Sequence, residues 1–301
     1  MEVTIAPAPP RRAQTTARLS GGYRGSDLLA RLVSSPRSRP TVDRGLAGGL
    51  RAWLEDGIAG VGDDDPGRSD AGRTHHGGSA AGRAGTAPRR ALVRDGTTAR
   101  SLTLAHRGTF GVRDLRAWLT RAIFRLTVVQ GPLRHPFEDA LCAISVTEHG
   151  PDLLDAVSRL RAGERADLRA FARARASAIS SQWHPVPAAW LPRTGERLQV
   201  PLGGGAVVLR ATADLVLGRP SDGTASVCLV RLHDQRRDQS GTVQAERARR
   251  ALALTETLRS GAPPWRVASY DPGEGRLSCD DVGPELLAEA VRDVLHALGR
   301  R

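Results

Sequence analysis

Two charged residues interrupt a pair of apolar segments in the C-terminal half of the chain. Asp214 lies in the segment AVVLRATADLVLG, and Arg231 lies in the segment SVCLVRLHD that follows it. A carboxylate can hold a divalent cation, because hard cations prefer oxygen ligands, and a positive side chain beside it can stabilise developing negative charge. Metal-dependent cleavage of a phosphodiester would require a second acid close to Asp214.

The alternation of residue types predicts that both charged residues lie on β-strands. From 206 to 218 every odd position is apolar while the even positions are mixed, which is typical of a strand with one buried face and one mixed face. A strand at 198–202 precedes it, and the glycines at 203–205 form the turn of a hairpin. A third strand is predicted at 226–232. The acid and the base are therefore expected on neighbouring strands.

Helical spacing dominates on both sides of these strands. Four helices are predicted between 112 and 183, and a helix at 242–261 follows the third strand and ends at its glycine. Two further strands, WRVASY and RLSCDDV, come before a last helix that begins at Pro284. This order predicts an α/β fold, with a mixed β-sheet flanked by helices and an N-terminal helical block.

The segment from about 190 to 282 resembles the PD-(D/E)XK nuclease superfamily, in particular its RecB-type branch. The matching text is GERLQVPLGGGAVVLRATADLVLG, SVCLVRLHD and VQAERARRALALTETLRSGAPPWRVASY. The helical segment HPFEDALCAIS is similar to part of the same domain. The resemblance implies a restriction-endonuclease-like core and, in an intact member, Mg²⁺-dependent cleavage of DNA.

The resemblance also implies roles for particular residues. Glu196 and Asp214 fall at positions of metal-binding acids, and Gln244 matches the glutamine that begins the next helix. The expected acid-x-lysine reads Leu229-Val230-Arg231, and the chain contains no lysine, since all 44 of its basic residues are arginine. Because arginine is bulkier, planar and always charged, the chemistry is expected to be lost or strongly weakened.

Three hypotheses remain for the function of this region. In the first, Asp214 and Arg231 form a cross-strand ion pair worth about 0.2–1 kcal/mol, and the domain is a pseudo-nuclease that associates with DNA or binds a protein. In the second, Glu246 supplies a migrated carboxylate beside Asp214 and Glu196, and the protein is an active Mg²⁺-dependent DNA nuclease. In the third, the basic N-terminal arm makes the chain a non-enzymatic interaction module. Structural roles for Glu196 at the surface and for Gln244 at a helix start remain open as well.

Composition and charge limit the partners and the organisation of the chain. The 301 residues are 40% hydrophobic, which allows a sizeable core. The formal net charge of +12 is concentrated in the first 200 residues, and it suits nucleic acid or another polyanion as well as it suits solubility alone. We expect a largely disordered region at 1–100 with short helices at 26–33 and 46–54, a helical block at 101–189 and the α/β core at 190–301.

The cysteines and the apolar segments indicate the compartment. The three cysteines are widely spaced and form no CxxC pair, which favours buried thiols over a zinc site or a disulfide framework. No apolar run approaches the roughly 18 residues that a membrane span requires, and the N-terminus lacks the apolar core of a signal peptide. The sequence therefore predicts a cytoplasmic protein without a membrane partner, and Mg²⁺ as a cofactor only if the protein is active.

Overall fold

A mixed β-sheet with helices on both faces forms the body of the protein, as seen in a computed structural model. The structure describes residues 16–17, 26–33, 43–59, 91–94, 97–99, 110–147, 150–218, 227–233 and 239–299. In chain order the elements are β1 (Thr16–Ala17), α1 (Ser26–Val33), α2 (Arg44–Ala59), β2 (Ala91–Arg94), β3 (Thr97–Ala99), α3 (Val112–Gln130), α4 (Pro136–Ser145), α5 (Gly150–Ser158), α6 (Ala162–Ser180), β4 (Arg193–Leu202), β5 (Val207–Leu217), β6 (Cys228–Leu232), α7 (Gln239–Ser260), β7 (Arg266–Asp271), β8 (Arg276–Asp281) and α8 (Pro284–Ala297). No helix within these ranges is long and apolar enough to cross a membrane.

Helices α3 to α6 confirm the four helices predicted between 112 and 183. Helix α3 follows Gly111, whose N–H donates a hydrogen bond of 3.0 Å to the Asp114 carboxylate in the first turn. Helix α4 begins at Pro136, which has a fixed φ and no N–H to leave unpaired. The apolar stripe of α3 recurs at every fourth position and is buried. Its members include Leu115, Leu119 and Ile123.

Strands β4 to β8 form the centre of the sheet. Strands β4 and β5 make an antiparallel hairpin around a 3₁₀ turn at Gly203–Gly205, as predicted. Each of these glycines has a positive φ, between +54° and +90°, a conformation that residues with a side chain rarely adopt. Strand β6 is antiparallel to β5, and β7 runs parallel to β6 after the crossover helix α7. Strand β8 then pairs antiparallel with β7.

Strand β5 also receives a partner from the N-terminal region. Strand β4 pairs along one edge of β5, while the other edge holds β2 beside Val207–Arg210 and β6 beside Leu215–Leu217. Strands β2 and β3 lie in a region for which the sequence predicts little order. Strand β2 pairs parallel with β5, and β3 pairs antiparallel with β2, so both strands depend on a tertiary contact with β5. Most of the basic N-terminal arm lies outside the described residues.

Separate apolar cores lie on the two faces of the sheet. The first packs helices α1 and α3 to α6 against strand residues that include Leu215 and Val230. The second packs α2, α7 and α8 against the other face, at residues that include Ala213 and Leu229. The predicted fold class, a mixed sheet flanked by helices, is confirmed at this level.

The alternation predicted for β5 holds only in its first half. Between Val207 and Ala213 the odd positions are buried and the even positions are half-buried or exposed, but positions 214–217 are all buried. Helix α3 and helix α7 both contact β5, so the end of the strand is covered on both faces. Asp214 lies where this change occurs.

Candidate functional site

The carboxylate of Asp214 is the most deeply buried charge of the candidate site. Its residue is only 1% exposed. Oδ1 accepts a hydrogen bond of 2.7 Å from Nη2 of Arg125, and Nε of Arg121 lies 3.7 Å from the same oxygen. Oδ2 accepts a hydrogen bond of 2.8 Å from the backbone N–H of Leu232. Both oxygens are therefore engaged, as a buried carboxylate requires.

Helix α3 brings the two arginines to this carboxylate. Arg121 and Arg125 are four residues apart and so lie on the same face of the helix. The Arg125 side chain is 24% exposed and that of Arg121 is 35% exposed, so each reaches from the rim of the domain into the buried end of β5. The shorter distance and the lower exposure make Arg125 the principal partner of Asp214.

A distorted residue of β4 makes room for the Arg125 guanidinium. Gly195 lies opposite Asp214, between Thr194 and Glu196 of the β4–β5 ladder. Its φ is +71°, which is unusual in a strand. A Cβ atom built at Gly195 would lie 2.9 Å from Nη1 of Arg125. The guanidinium thus packs against bare backbone: the φ of this position favours glycine, and a Cβ atom there would force the guanidinium to shift.

The prediction that Asp214 forms a cross-strand ion pair with Arg231 is wrong. The described side chains within ion-pair distance of Asp214 belong to α3, not to β6. Neighbouring residues of β6 explain the difference: Val230 and Leu232 belong to the core beside α3, and Leu229 belongs to the core beside α7. Side chains alternate along a strand, so Arg231 shares the α7 face with Leu229 while Asp214 turns toward α3.

Glu196, the second acid of the predicted metal site, lies on the opposite face of the sheet from the Asp214 carboxylate. It pairs across the ladder with Ala213, a member of the core beside α7. Its Oε1 accepts a hydrogen bond of 2.8 Å from Nη1 of Arg193. The structure therefore does not bring the Glu196 and Asp214 carboxylates together.

Glu196 instead belongs to a charged group near the end of α7. Arg259 donates hydrogen bonds of 2.9 Å and 3.0 Å to the two oxygens of Glu256. These bonds, with a smaller effect of the Glu196 charge, raise the pKa of the Arg259 guanidinium against the opposing effect of burial. Each acid of this group is thus already paired with an arginine, Glu196 with Arg193 and Glu256 with Arg259.

The two candidate residues of the crossover helix lie near the start of α7. Gln244 is exposed and Glu246 is half-buried. No hydrogen bond or ion pair joins Glu246 to Asp214 in the described part of the chain. The neighbouring Arg249 is almost fully buried, and it donates 2.7 Å and 2.8 Å hydrogen bonds to Asp280 and Ser269. This network fixes α7 to β7 and β8.

The residues around Asp214 do not fit a divalent metal ion. Mg²⁺ requires several oxygen ligands in near-octahedral geometry, whereas the Asp214 oxygens are bonded to nitrogen donors. Leu229, at the position where the sequence resemblance implies an acid, is fully buried in the apolar core. No group of three or more His, Cys, Asp or Glu side chains suited to a metal was found among the described residues.

Arg121 and Arg125 are the residues of this site that the sequence reasoning missed. They occur in the segment LTRAIFRLTVV, where they are flanked by buried positions such as Ala122 and Phe124. Two arginines one turn apart in a largely buried helix require an acid nearby. Asp214 is an acid inside an apolar strand, so the same argument could have predicted that the two arginines pair with it.

Comparison with known proteins adds no family to this geometry. Neither a protein-family model nor a curated protein matches the chain. The function is therefore argued from the arrangement of Asp214 with its arginines and from the fold that holds them.

Proposed function

We propose that this chain is a catalytically inactive domain of the PD-(D/E)XK nuclease type, which acts by associating with DNA. One observation carries the proposal: the Asp214 carboxylate is closed by the Arg125 guanidinium and the Leu232 N–H. In an intact member of the family that the sequence resembles, this carboxylate would bind a divalent cation. Here a positive side chain of the same molecule neutralises it.

The order of the strands supports the nuclease-like part of the proposal. Three antiparallel strands, β4, β5 and β6, are followed by the crossover helix α7 and the parallel strand β7. The resemblance of the segment 190–282 implies this succession of elements. Asp214 lies on the middle strand of the three and Arg231 on the third, and the resemblance implies the same order.

The chemistry of arginine supports the loss of activity. Its guanidinium is essentially always charged in proteins, so it cannot act as the neutral amine of a lysine does. A metal ion would have to displace Arg125 from a hydrogen bond of 2.7 Å and leave that cation beside its own charge. Both effects oppose metal binding at Asp214.

The charge distribution supports DNA as the partner. The chain has a formal net charge of +12, and several arginines of the helical layer are exposed to solvent. They include Arg113, Arg116 and Arg161. Arginines at the surface neutralise phosphates and release counterions, which gives sequence-independent binding that weakens with salt.

A cleavage assay combined with a metal-binding readout tests the loss of activity. The full chain and Asp214→Ala are incubated with linear duplex DNA and with single-stranded DNA in the presence of Mg²⁺ or Mn²⁺. Thermal unfolding of both proteins is recorded with and without about 5 mM of each metal. We expect no cleavage and no metal-dependent stabilisation. Cleavage that disappears in Asp214→Ala would overturn the proposal in favour of the active nuclease.

Fluorescence anisotropy with a labelled duplex tests DNA association. We expect affinity to fall steeply with salt, and the single substitutions Arg113→Glu and Arg116→Glu each to weaken binding several-fold. The matched control is Arg292→Glu, an exposed arginine of α8 in the other helical layer. Absence of binding at low salt would reject DNA and leave a protein partner as the alternative.

A further inference from the structure

A pocket of about 410 Å³ opens between helix α6 and the connection from α3 to α4. This volume is within the range of small-molecule sites, roughly 300–1,000 Å³. The connection contributes Pro132, Leu133 and Arg134 to the lining, and α6 contributes Arg173, Ser177 and Ser180. The pocket therefore combines an apolar part with two guanidinium groups and hydroxyl groups.

The local structure holds these groups in place. Arg173, Ser177 and Ser180 are spaced by four and three residues, so they lie along one face of α6. The connection is short, and Pro132 fixes its backbone. Gly131 enters it with a φ of +91°, and a Cβ atom there would lie 3.0 Å from Pro185. Arg134 is thus presented on a constrained segment rather than on a long loop.

The two pocket arginines carry charge that neighbouring side chains do not neutralise. Within the described residues, no carboxylate lies at ion-pair distance from Arg134 or Arg173. One turn earlier on α6, Arg169 behaves differently, because it is 3.2 Å from Glu138 and lies over the ring of Phe137. The pocket therefore offers two positive charges, whereas the arginine one turn earlier on the helix is already paired.

We propose that this pocket binds a small-molecule phosphomonoester. Two guanidinium groups match a phosphate dianion in charge and in donor geometry. The hydroxyl groups of Ser177 and Ser180 add further donors, and Pro132 and Leu133 offer apolar surface to the organic part of the ligand. The site lies in the layer formed by α3 to α6. The inference is independent of the proposed loss of metal binding at Asp214.

Isothermal titration of the full chain with phenyl phosphate and with inorganic phosphate tests the proposal. We expect phenyl phosphate to bind more tightly than inorganic phosphate, because only the ester can use the apolar surface. Arg134→Ala and Arg173→Ala should each weaken phenyl phosphate about tenfold or more, as expected for a charge-assisted hydrogen bond. Both side chains are exposed, so the folded state should tolerate these changes, and a thermal unfolding curve checks it.

The control variant is Arg292→Ala, an exposed arginine of α8 outside the pocket lining. Unchanged affinity in this variant supports a defined site. An equal loss in all three variants, or no binding of phenyl phosphate at millimolar concentration, would overturn the proposal. A DNA oligonucleotide without terminal phosphates provides the last arm. If it displaced phenyl phosphate from the pocket, the small-molecule assignment would be wrong and the pocket would belong to a nucleic-acid surface.

Discussion

Substituting Arg125 with alanine tests the central contact of the candidate site. The change removes the 2.7 Å hydrogen bond to Asp214 and leaves a carboxylate that is 1% exposed. The Leu232 N–H remains bonded to Oδ2, and Arg121 remains 3.7 Å from Oδ1. The buried charge thus loses its best partner but not every partner.

The expected loss of stability follows from this partial compensation. Removing one member of a buried ion pair costs about 3–5 kcal/mol when the remaining charge has no other partner. Because the Arg125 side chain is 24% exposed, its deletion lets water approach Asp214. We therefore expect Arg125→Ala to lower the free energy of unfolding by about 2–3 kcal/mol, at or just below the lower limit of that range. Arg121→Ala, which removes a longer and more exposed contact, should cost under about 1 kcal/mol.

Urea unfolding of four variants measures these values. They are Arg125→Ala, Arg121→Ala, Asp214→Asn, and the double variant that combines Arg125→Ala with Asp214→Asn. Asparagine keeps an oxygen for the Leu232 N–H but removes the charge, so the double variant should lose less than the sum of its two single variants, by about 1.5–3 kcal/mol. Additive losses, or an Arg121→Ala cost equal to that of Arg125→Ala, would refute the assignment of Arg125 as the cation that holds Asp214.

Three further predictions concern the backbone at Gly195, the reactivity of the thiols and the dependence of stability on pH. Gly195→Ala should destabilise the protein by about 1–3 kcal/mol in urea unfolding, since it forces an L-residue to a φ of +71° and sets a methyl group against Arg125; a neutral effect would mean that the guanidinium does not pack there. Burial raises the pKa of the Cys279 thiol to about 12, so at pH 8 iodoacetamide should alkylate the exposed Cys142 much faster than Cys279. Mass spectrometry of peptides taken over a time course measures both rates, and equal rates would contradict the prediction. Burial raises the pKa values of both the Cys279 thiol and the Tyr270 phenol. Because the thiol ionises in the unfolded chain from about pH 8.5 but stays neutral in the folded protein, the free energy of unfolding should decline as the pH rises above that value.

Most elements of the fold could be predicted because their signals are local. The spacing of Leu115, Leu119 and Ile123 indicates a helix, Pro136 marks the start of the next one, and the three glycines at 203–205 mark a hairpin. Periodicity and turn chemistry act over a few residues, so a single sequence contains them. These signals identified helices α3 to α6, the β4–β5 hairpin and the crossover after β6, and hence the α/β class.

The pairing of charges could not be predicted in the same way. The sequence indicates that Asp214 is an acid in an apolar strand, and it shows that neither a lysine nor an acid at position 229 accompanies it. Which cation neutralises Asp214 depends on how helix α3, 89 residues earlier in the chain, packs against the end of β5. That choice is a property of tertiary packing, because a buried charge bonds to whichever donor the surrounding layers bring within reach. Local signals in the sequence indicated the helices and strands of residues 112–297, while the packing of α3 and β4 against β5 established that Arg125 closes the Asp214 carboxylate and that Glu196 lies on the opposite face of the sheet.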